Sequence, residues 1–526
     1  MKLLKALAGK TIFVIIAIIL QIAIYLLLAN LVERLILAIP WEVDIPGEAT
    51  STRVSQFIVA VLELVVAFIV IVRLTVRDML PDAKVAWVTL LVFAPVAGSI
   101  IYLMFSYNRP SRRKTLLYMD IHARGKKYMT CTDDCADALG EYVGHSRYLY
   151  NAASAVPHRW SDVKFYPTGE LFFDDLKAEL EKAEKYILME YFIVERGAMW
   201  DPIEEILERK VKEGVAVKFM YDDFGCLPRI EHDFYKRMRA KGIDCQRFNK
   251  ITPVASARHN NRDHRKITVV DGKTGFMGGI NLADEYINVT HPFGQWKDSA
   301  VRVRGEAVQN LIMLFLTAFD SQDDSRLENY EFYIPEYYEW FDEEGIVQPF
   351  GDSPRPLTDD NVAEDCILNM INQAKNYMYI STPYLILDYT LVDALCRAAR
   401  RGVDVRIITP RIPDKKLVFW ITRRNYKPLV KAGVGIYEYL PGFIHAKNYL
   451  CDDIVGMVGT INMDYRSLVH HFEGGVWMYN TACLKDIRRD FEETFKVCEH
   501  MTADNIQQSI PRRIASAIGS IFSPLL

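Results

Sequence analysis

The chain has 526 residues, half of them hydrophobic, and a formal net charge of -4. That length exceeds one hydrophobic core and predicts about three units, while the near balance of charge excludes a chain that meets nucleic acid through an overall positive field. Nine cysteines are scattered, with only Cys131 and Cys135 close together and no second pair to complete a zinc site, a pattern of reduced thiols and a catalytic region facing the cytosol.

Residues 1–108 read as a membrane region with apolar runs at about 11–31, 57–73 and 85–106. The first and third reach the roughly 20 residues that span a bilayer, and the second is slightly short. The first run exceeds a signal-peptide core and further runs follow, so it reads as a retained span. Glu63, inside the second run, reads as a packed or protonated carboxyl. Next come Arg109, Arg112, Arg113, Lys114, Arg124, Lys126 and Lys127, which favour a cytoplasmic exit and attract anionic headgroups. Lys2, Lys5 and Lys10 compete with that cluster for the cytoplasmic side.

The remainder is duplicated. "AEKYILMEYFIV" from 183 leads through a helical stretch and Gly214 to "VAVKFMYDD"; "AKNYMYISTPYLI" from 374 leads through a helical stretch and Gly402 to "VDVRIITP". Both read as β-α-β units with parallel strands. The stretch 350–361, rich in Pro, Asp and Gly, divides the halves into 109–350 and 351–526. Each half then carries His-x-Lys-x4-Asp: His264, Lys266 and Asp271 in "HRKITVVD", and His445, Lys447 and Asp452 in "HAKNYLCD". Each is followed by a matching segment, "GGIN" ending at Asn281 and "GTIN" ending at Asn462.

Residues two apart on a strand share a face, so each histidine stands beside its lysine. Asp271, seven positions from His264 and inside an Asp-Gly turn, is expected to fix the turn, and Asp452 likewise. If the halves face each other, one pocket holds two imidazoles, two ammonium groups and two amides, a site for a phosphate diester. Fixed cations and amides offset charge that builds on the equatorial oxygens, one neutral histidine attacks phosphorus, and the other protonates the leaving alkoxide. Asp298, 34 residues after His264, and Glu473, 28 after His445, are candidates to orient these imidazoles. No metal or other cofactor is expected; Asp222 and Asp223 read as structural or substrate-lining, and His470 and His471 as local structure.

With these motifs the sequence resembles the phospholipase D superfamily, whose signature is the duplicated His-x-Lys-x4-Asp. It is similar, more narrowly, to bacterial cardiolipin synthases, through "NNRDHRKITVVDGKTGFMGGIN", "STPYLILD", "IYEYLPGFIHAK" and "GTINMDYRS". The resemblance implies an α/β fold of duplicated phospholipase D-like domains, each a mixed sheet flanked by helices, in pseudo-twofold arrangement after N-terminal transmembrane helices. It implies a multi-pass protein of the bacterial cell membrane that transfers the phosphatidyl group of one phosphatidylglycerol to another, with His264 as nucleophile and His445 as acid then base. Gly279 departs from the hydroxyl residue seen as Thr460. Alternatives are another phosphatidyltransferase, a phospholipase, or a non-catalytic binder of anionic lipid; no basic and aromatic platform supports a nuclease. The C-terminal "IPRRIASAIGSIFSPLL" has one apolar helical face behind Arg512 and Arg513, for a bilayer surface or for docking on the core.

Overall fold

The computed structural model describes residues 47–525 except 78, 107–111, 131–134, 252–259, 323–329, 356 and 359. The apolar run at 11–31 lies outside the described residues. The rest forms two compact units: the N-terminal helices with residues 521–525, and residues 112–251 with 260–520.

In the N-terminal unit the chain forms α1 (Gly47–Thr75), α2 (Pro81–Phe93) and α3 (Pro95–Phe105). The sequence predicts one crossing helix over 85–106, but Pro95 lacks an amide hydrogen and disfavours helical geometry in the residue before it. Ala94 accordingly sits at φ -143°, ψ 73° and splits the run. At 1.5 Å per residue the pieces of 13 and 11 residues are about 20 and 17 Å long, short of a hydrocarbon layer of roughly 30 Å. They pack closely, because a Cβ at Gly98 would lie 2.8 Å from the Leu90 carbonyl oxygen. The apolar stretch of α1 is interrupted by Glu63 and stops at Arg73. Among the described residues no helix is long and apolar enough to cross a membrane. The run read at 57–73 falls inside the unbroken α1, and the run read at 85–106 is divided between α2 and α3 at Ala94.

In the larger unit each half builds a mixed sheet. The first contains β1 (Asp162–Tyr166), β2 (Tyr186–Tyr191), β3 (Ala216–Asp222), β4 (Asp244–Phe248), β5 (Ile267–Val270) and β6 (Thr274–Gly278). A short β7 (Gln295–Lys297) stands apart from it, and β8 (Ala300–Arg304) completes the order β1-β8-β6-β5-β2-β3-β4. The second half supplies β9 (Ile346–Asp352), β10 (Tyr377–Ser381), β11 (Leu385–Ile386), β12 (Asp404–Pro410), β13 (Gly435–Tyr439) and β14 (Gly442–Ile444). It continues with β15 (Asn448–Cys451), β16 (Val455–Gly459), β17 (Met463–Asp464), β18 (Glu473–Tyr479) and β19 (Cys498–Met501). Its large sheet runs β19-β13-β12-β10-β15-β16-β18-β9.

The repeat is visible in the pairing. In both halves a parallel β-α-β pair, β2 with β3 and β10 with β12, lies beside an antiparallel hairpin, β5–β6 and β15–β16. The strands β2 and β10 are buried along their whole length, as near-continuous apolar runs are when helices cover both faces. The halves share a core in which Leu188 and Val301 of the first sheet cluster with Val458 and Val476 of the second. The division does not fall cleanly between 350 and 351. That point lies inside β9, and the helix Val143–Ala153, expected with the first half, packs in the core of the second with Ile346, Ile367 and Trp477.

Candidate active site

His264 and Lys266 lie just before β5, and His445 and Lys447 join β14 to β15. All four side chains are withdrawn from water, their residues 0 to 7 % exposed. Each lysine Nζ donates to the carbonyl oxygen of its own histidine, which ties each pair together through the backbone; neither pair lies inside a strand, where the spacing places it.

The orienting acids cross between the halves. His264 Nδ1 lies 3.0 Å from Glu473 Oε2, and His445 Nδ1 lies 2.6 Å from Asp298 Oδ2. The sequence offsets pair each acid with the histidine of its own half; the structure reverses both pairings. The cause is in the backbone. The His264 amide donates to the Phe472 carbonyl at 2.9 Å, and the His445 amide donates to the Lys297 carbonyl at 2.7 Å. Each carbonyl belongs to the residue just before the acid. Pairing of β14 with β7, and the bridge between Asp263 and Phe472, fix those two crossings.

The two carboxylates are held differently. Glu473 accepts from the Thr460 hydroxyl and from Ser467 Oγ at 2.6 Å. Asp298 accepts from the Ser299 amide at 2.8 Å and fills the space where a Cβ at Gly279 would stand, 2.1 Å from Oδ1. The glycine at the position equivalent to Thr460 therefore makes room for the acid, and a backbone amide supplies the hydrogen bond. Rings complete the walls: Phe192 lies 5.1 Å from the His264 ring, and Tyr286, Trp296 and Phe443 lie 5.6, 5.4 and 6.0 Å from that of His445.

Burial, reinforced by Lys266 and Lys447, holds both imidazoles well below their ordinary 6.5. Burial also brings Lys266 down to about 7 and Lys447 to about 8, and pushes Asp298 up to about 6. A buried pocket whose bases resist protonation in this way favours an anion that offsets the clustered positive charge.

Asp271 and Asp452 sit behind the site. Both adopt left-handed backbone, at φ 54° and 55°, which Asp tolerates better than most residues. The Asp271 carboxylate accepts the amides of Glu184, Lys185 and Tyr186, and that of Asp452 accepts those of Lys375, Asn376 and Tyr377. They fasten each motif hairpin to the start of its neighbouring strand.

The two asparagines are not equivalent. Asn281 Oδ1 accepts the Ile193 amide and one Nδ2 hydrogen goes to the Tyr286 hydroxyl, so this side chain braces the wall with two of its polar positions. Asn462 Oδ1 is buried without a hydrogen-bond partner among the described residues. Asp222 accepts the amides of Phe224, Gly225 and Asp263, and Asp223 accepts that of Ile251; both hold loops around the motif.

His471, which the sequence reads as local structure, stands in the site. Its ring centroid is 5.5 Å from that of His264, and its Nδ1 lies 3.4 Å from Glu473. His264, His471 and Glu473 place one possible metal-ligating atom each within 4.8 Å of one another, but the Glu473 oxygens already accept two hydroxyls and an imidazole. Ser299, Ser467 and the aromatic walls also escaped the sequence reading. None of them recurs at matched positions in the two motifs, so the repeat gave no signal for them.

Comparison with known proteins gives a consistent relationship. The family model described as "Cardiolipin synthase, PLD-like domain" matches twice, at residues 176–306 and 367–495, and that described as "Phospholipase_D-nuclease N-terminal" matches residues 64–106. The cardiolipin synthase of Geobacillus kaustophilus is 33% identical over 88% of this chain and 92% of its own length. Cardiolipin synthase 2 of Staphylococcus epidermidis is 32% identical over 90% and 97%, and an uncharacterised Streptococcus mutans protein is 44% identical over 72% and 82%. Among solved structures, a phosphatidylserine synthase from Haemophilus influenzae superposes with a TM-score of 0.55 at 13% identity, covering 73% of this chain and all of that one; that likeness concerns the fold.

Proposed function

This chain belongs to the cardiolipin synthase family of the phospholipase D superfamily, and from that premise we propose that it transfers the phosphatidyl group of one phosphatidylglycerol to the glycerol hydroxyl of another, forming cardiolipin and glycerol. The observation that carries the reading is the pair of crossed imidazole–carboxylate contacts flanked by Lys266 and Lys447 in one buried pocket.

The Nδ1–H of His264 donates to Glu473, which leaves the Nε2 lone pair to attack phosphorus. The bond from phosphorus to the glycerol oxygen breaks, His445 gives its proton to the departing alkoxide, and phosphatidyl-His264 remains. The hydroxyl of a second phosphatidylglycerol then gives its proton to His445, its oxygen attacks phosphorus, and His264 is released. Lys266 and Lys447 offset charge on the non-bridging oxygens. The resting imidazoles are held neutral beside two cations; arrival of a diester anion offsets that charge and restores the proton His445 has to donate.

Membrane attachment is part of this proposal. It is supported by the match of residues 64–106 to an N-terminal family model and by exposed apolar side chains around α1, including Leu62, Leu64, Phe68 and Ile69. The test is purified full-length protein in phosphatidylglycerol vesicles. The expected result is cardiolipin and glycerol in equal amounts, with phosphatidyl-His264 trapped by acid quench. Phosphatidic acid as the sole product overturns the synthase reading.

A further inference from the structure

The C-terminal helix, Ile510–Phe522, is turned the wrong way for a protein in water. Its small residues Ser516 and Gly519 are buried, and a Cβ at Gly519 would stand 2.8 Å from Ile421 Cδ1 on the helix Lys416–Ala432. Ile510, Ile514 and Ile518, four residues apart and hence on one face, are 71, 57 and 55 % exposed. An apolar stripe is ordinarily the face a helix buries. Two further contacts hold this orientation: Gln508 Nε2 donates to the Trp420 carbonyl at 3.0 Å, and the Arg512 guanidinium lies over the Trp420 ring, 5.9 Å from its centroid.

Leu417 of the neighbouring helix adjoins the C-terminal helix, its Cδ1 3.5 Å from where a Cβ at Gly519 would stand, and Ile412 precedes that helix on the side of the pocket. Leu417 and Ile412 are also exposed, and the Ile412 side chain reaches Gly294, two residues before the Trp296 ring against His445. Exposed cations flank the stripe: Arg512 and Arg513 on the C-terminal helix, and Lys415 and Lys416 at the start of the other. Lys415 lies near enough to contribute to the field at His445. No Asp or Glu occurs after Asp504.

Isoleucines outward, cations beside them and no acid on the C-terminal helix itself, with Asp414 against Lys415 the one acid paired to a flanking cation among the described residues, make a surface complementary to an anionic bilayer, whose interface takes apolar side chains below the headgroups and cations at their level. We propose that the face formed by Ile510, Ile514, Ile518, Leu417 and Ile412 is an interfacial platform that rests on anionic lipid and holds the pocket mouth at headgroup depth. This deepens the lipid-substrate reading and rests on it. The platform does not handle the phosphate; it delivers lipid from the bilayer to a buried pocket.

The test uses full-length protein and two substrate forms, phosphatidylglycerol in vesicles and dihexanoyl phosphatidylglycerol as dissolved monomer. Ile514→Asp with Ile518→Asp, and separately Arg512→Glu with Arg513→Glu, are expected to lower turnover on vesicles by about tenfold or more and to leave monomer turnover within about twofold. Unchanged vesicle turnover, or equal falls on both substrates, overturns the platform. Hydrogen exchange of residues 510–520 supplies a readout independent of catalysis. It is expected to slow in phosphatidylcholine bilayers containing phosphatidylserine relative to phosphatidylcholine alone. Equal exchange in both, or a change of oligomeric mass in detergent with vesicle turnover unchanged, assigns the face elsewhere and overturns the proposal. Failure of the wild type to make cardiolipin from either substrate strikes the functional reading, and the exchange measurement still decides the platform.

Discussion

Glu473 and Asp298 each serve the imidazole of the other half, and their removal is expected to separate the two steps. Glu473→Gln leaves His264 without an anion to hold its tautomer, so formation of the phosphohistidine slows by about 10²- to 10⁴-fold, read by acid quench of labelled phosphatidylglycerol. Asp298→Asn acts on His445 and slows proton delivery and removal. It lowers steady-state turnover comparably, and that loss shrinks when the leaving group is changed to an alcohol of low pKa, which departs without a proton. The lysines carry a stability signature too. Lys266 has a folded value of about 7 against an ordinary 10.5, so the folded state binds fewer protons and stability rises with pH across that window. Lys266→Met therefore raises the melting temperature at pH 7 by a few degrees while lowering turnover by roughly 10²-fold or more. In the wild type, kcat/KM falls as pH rises through about 7 to 8, where the free enzyme loses its ammonium groups. The four motif residues and the two acids were legible because the repeat doubled them. Their partnership was not, since equal offsets in both halves describe a straight and a crossed arrangement equally well.

At the scale of elements, the hairpins β5–β6 and β15–β16 owe their position to one carboxylate each. Asp452→Ala removes three charge-assisted hydrogen bonds to backbone and places alanine at a left-handed φ of 55°. The expected loss is about 3 kcal/mol or more, measured by denaturant unfolding, with the phosphohistidine still trapped at low temperature. Gly279 makes the opposite kind of demand. Gly279→Ala puts a methyl group onto Asp298, so turnover falls while denaturant stability changes little beyond the cost of local overpacking, about 1 to 3 kcal/mol. The turn chemistry of Asp271 and Asp452 was readable from the Asp-Gly and Asp-Asp pairs and their odd distance from histidine. The split of the third apolar run was also printed in the sequence, as Pro95, but hydropathy averages over a proline, and backbone geometry does not.

For the larger unit as a whole, the site exists only where both halves meet, within one chain. Mixing His264→Asn chains with His445→Asn chains is therefore expected to restore no activity in the vesicle assay, since each chain closes its own pocket around one missing imidazole. Recovery of turnover above the sum of the separate variants would show that halves exchange between chains. The duplication was legible as two units, but not the migration of the helix Val143–Ala153 into the core of the second half, because an amphipathic helix carries no address for the sheet it covers. The crossed backbone pairs at Phe472 and Lys297 also bear on descent. Once each copy relied on its sibling for a counter-ion, neither could drift alone: an acid lost from one half disarms the base of the other, and selection sees the two copies as a single heritable trait.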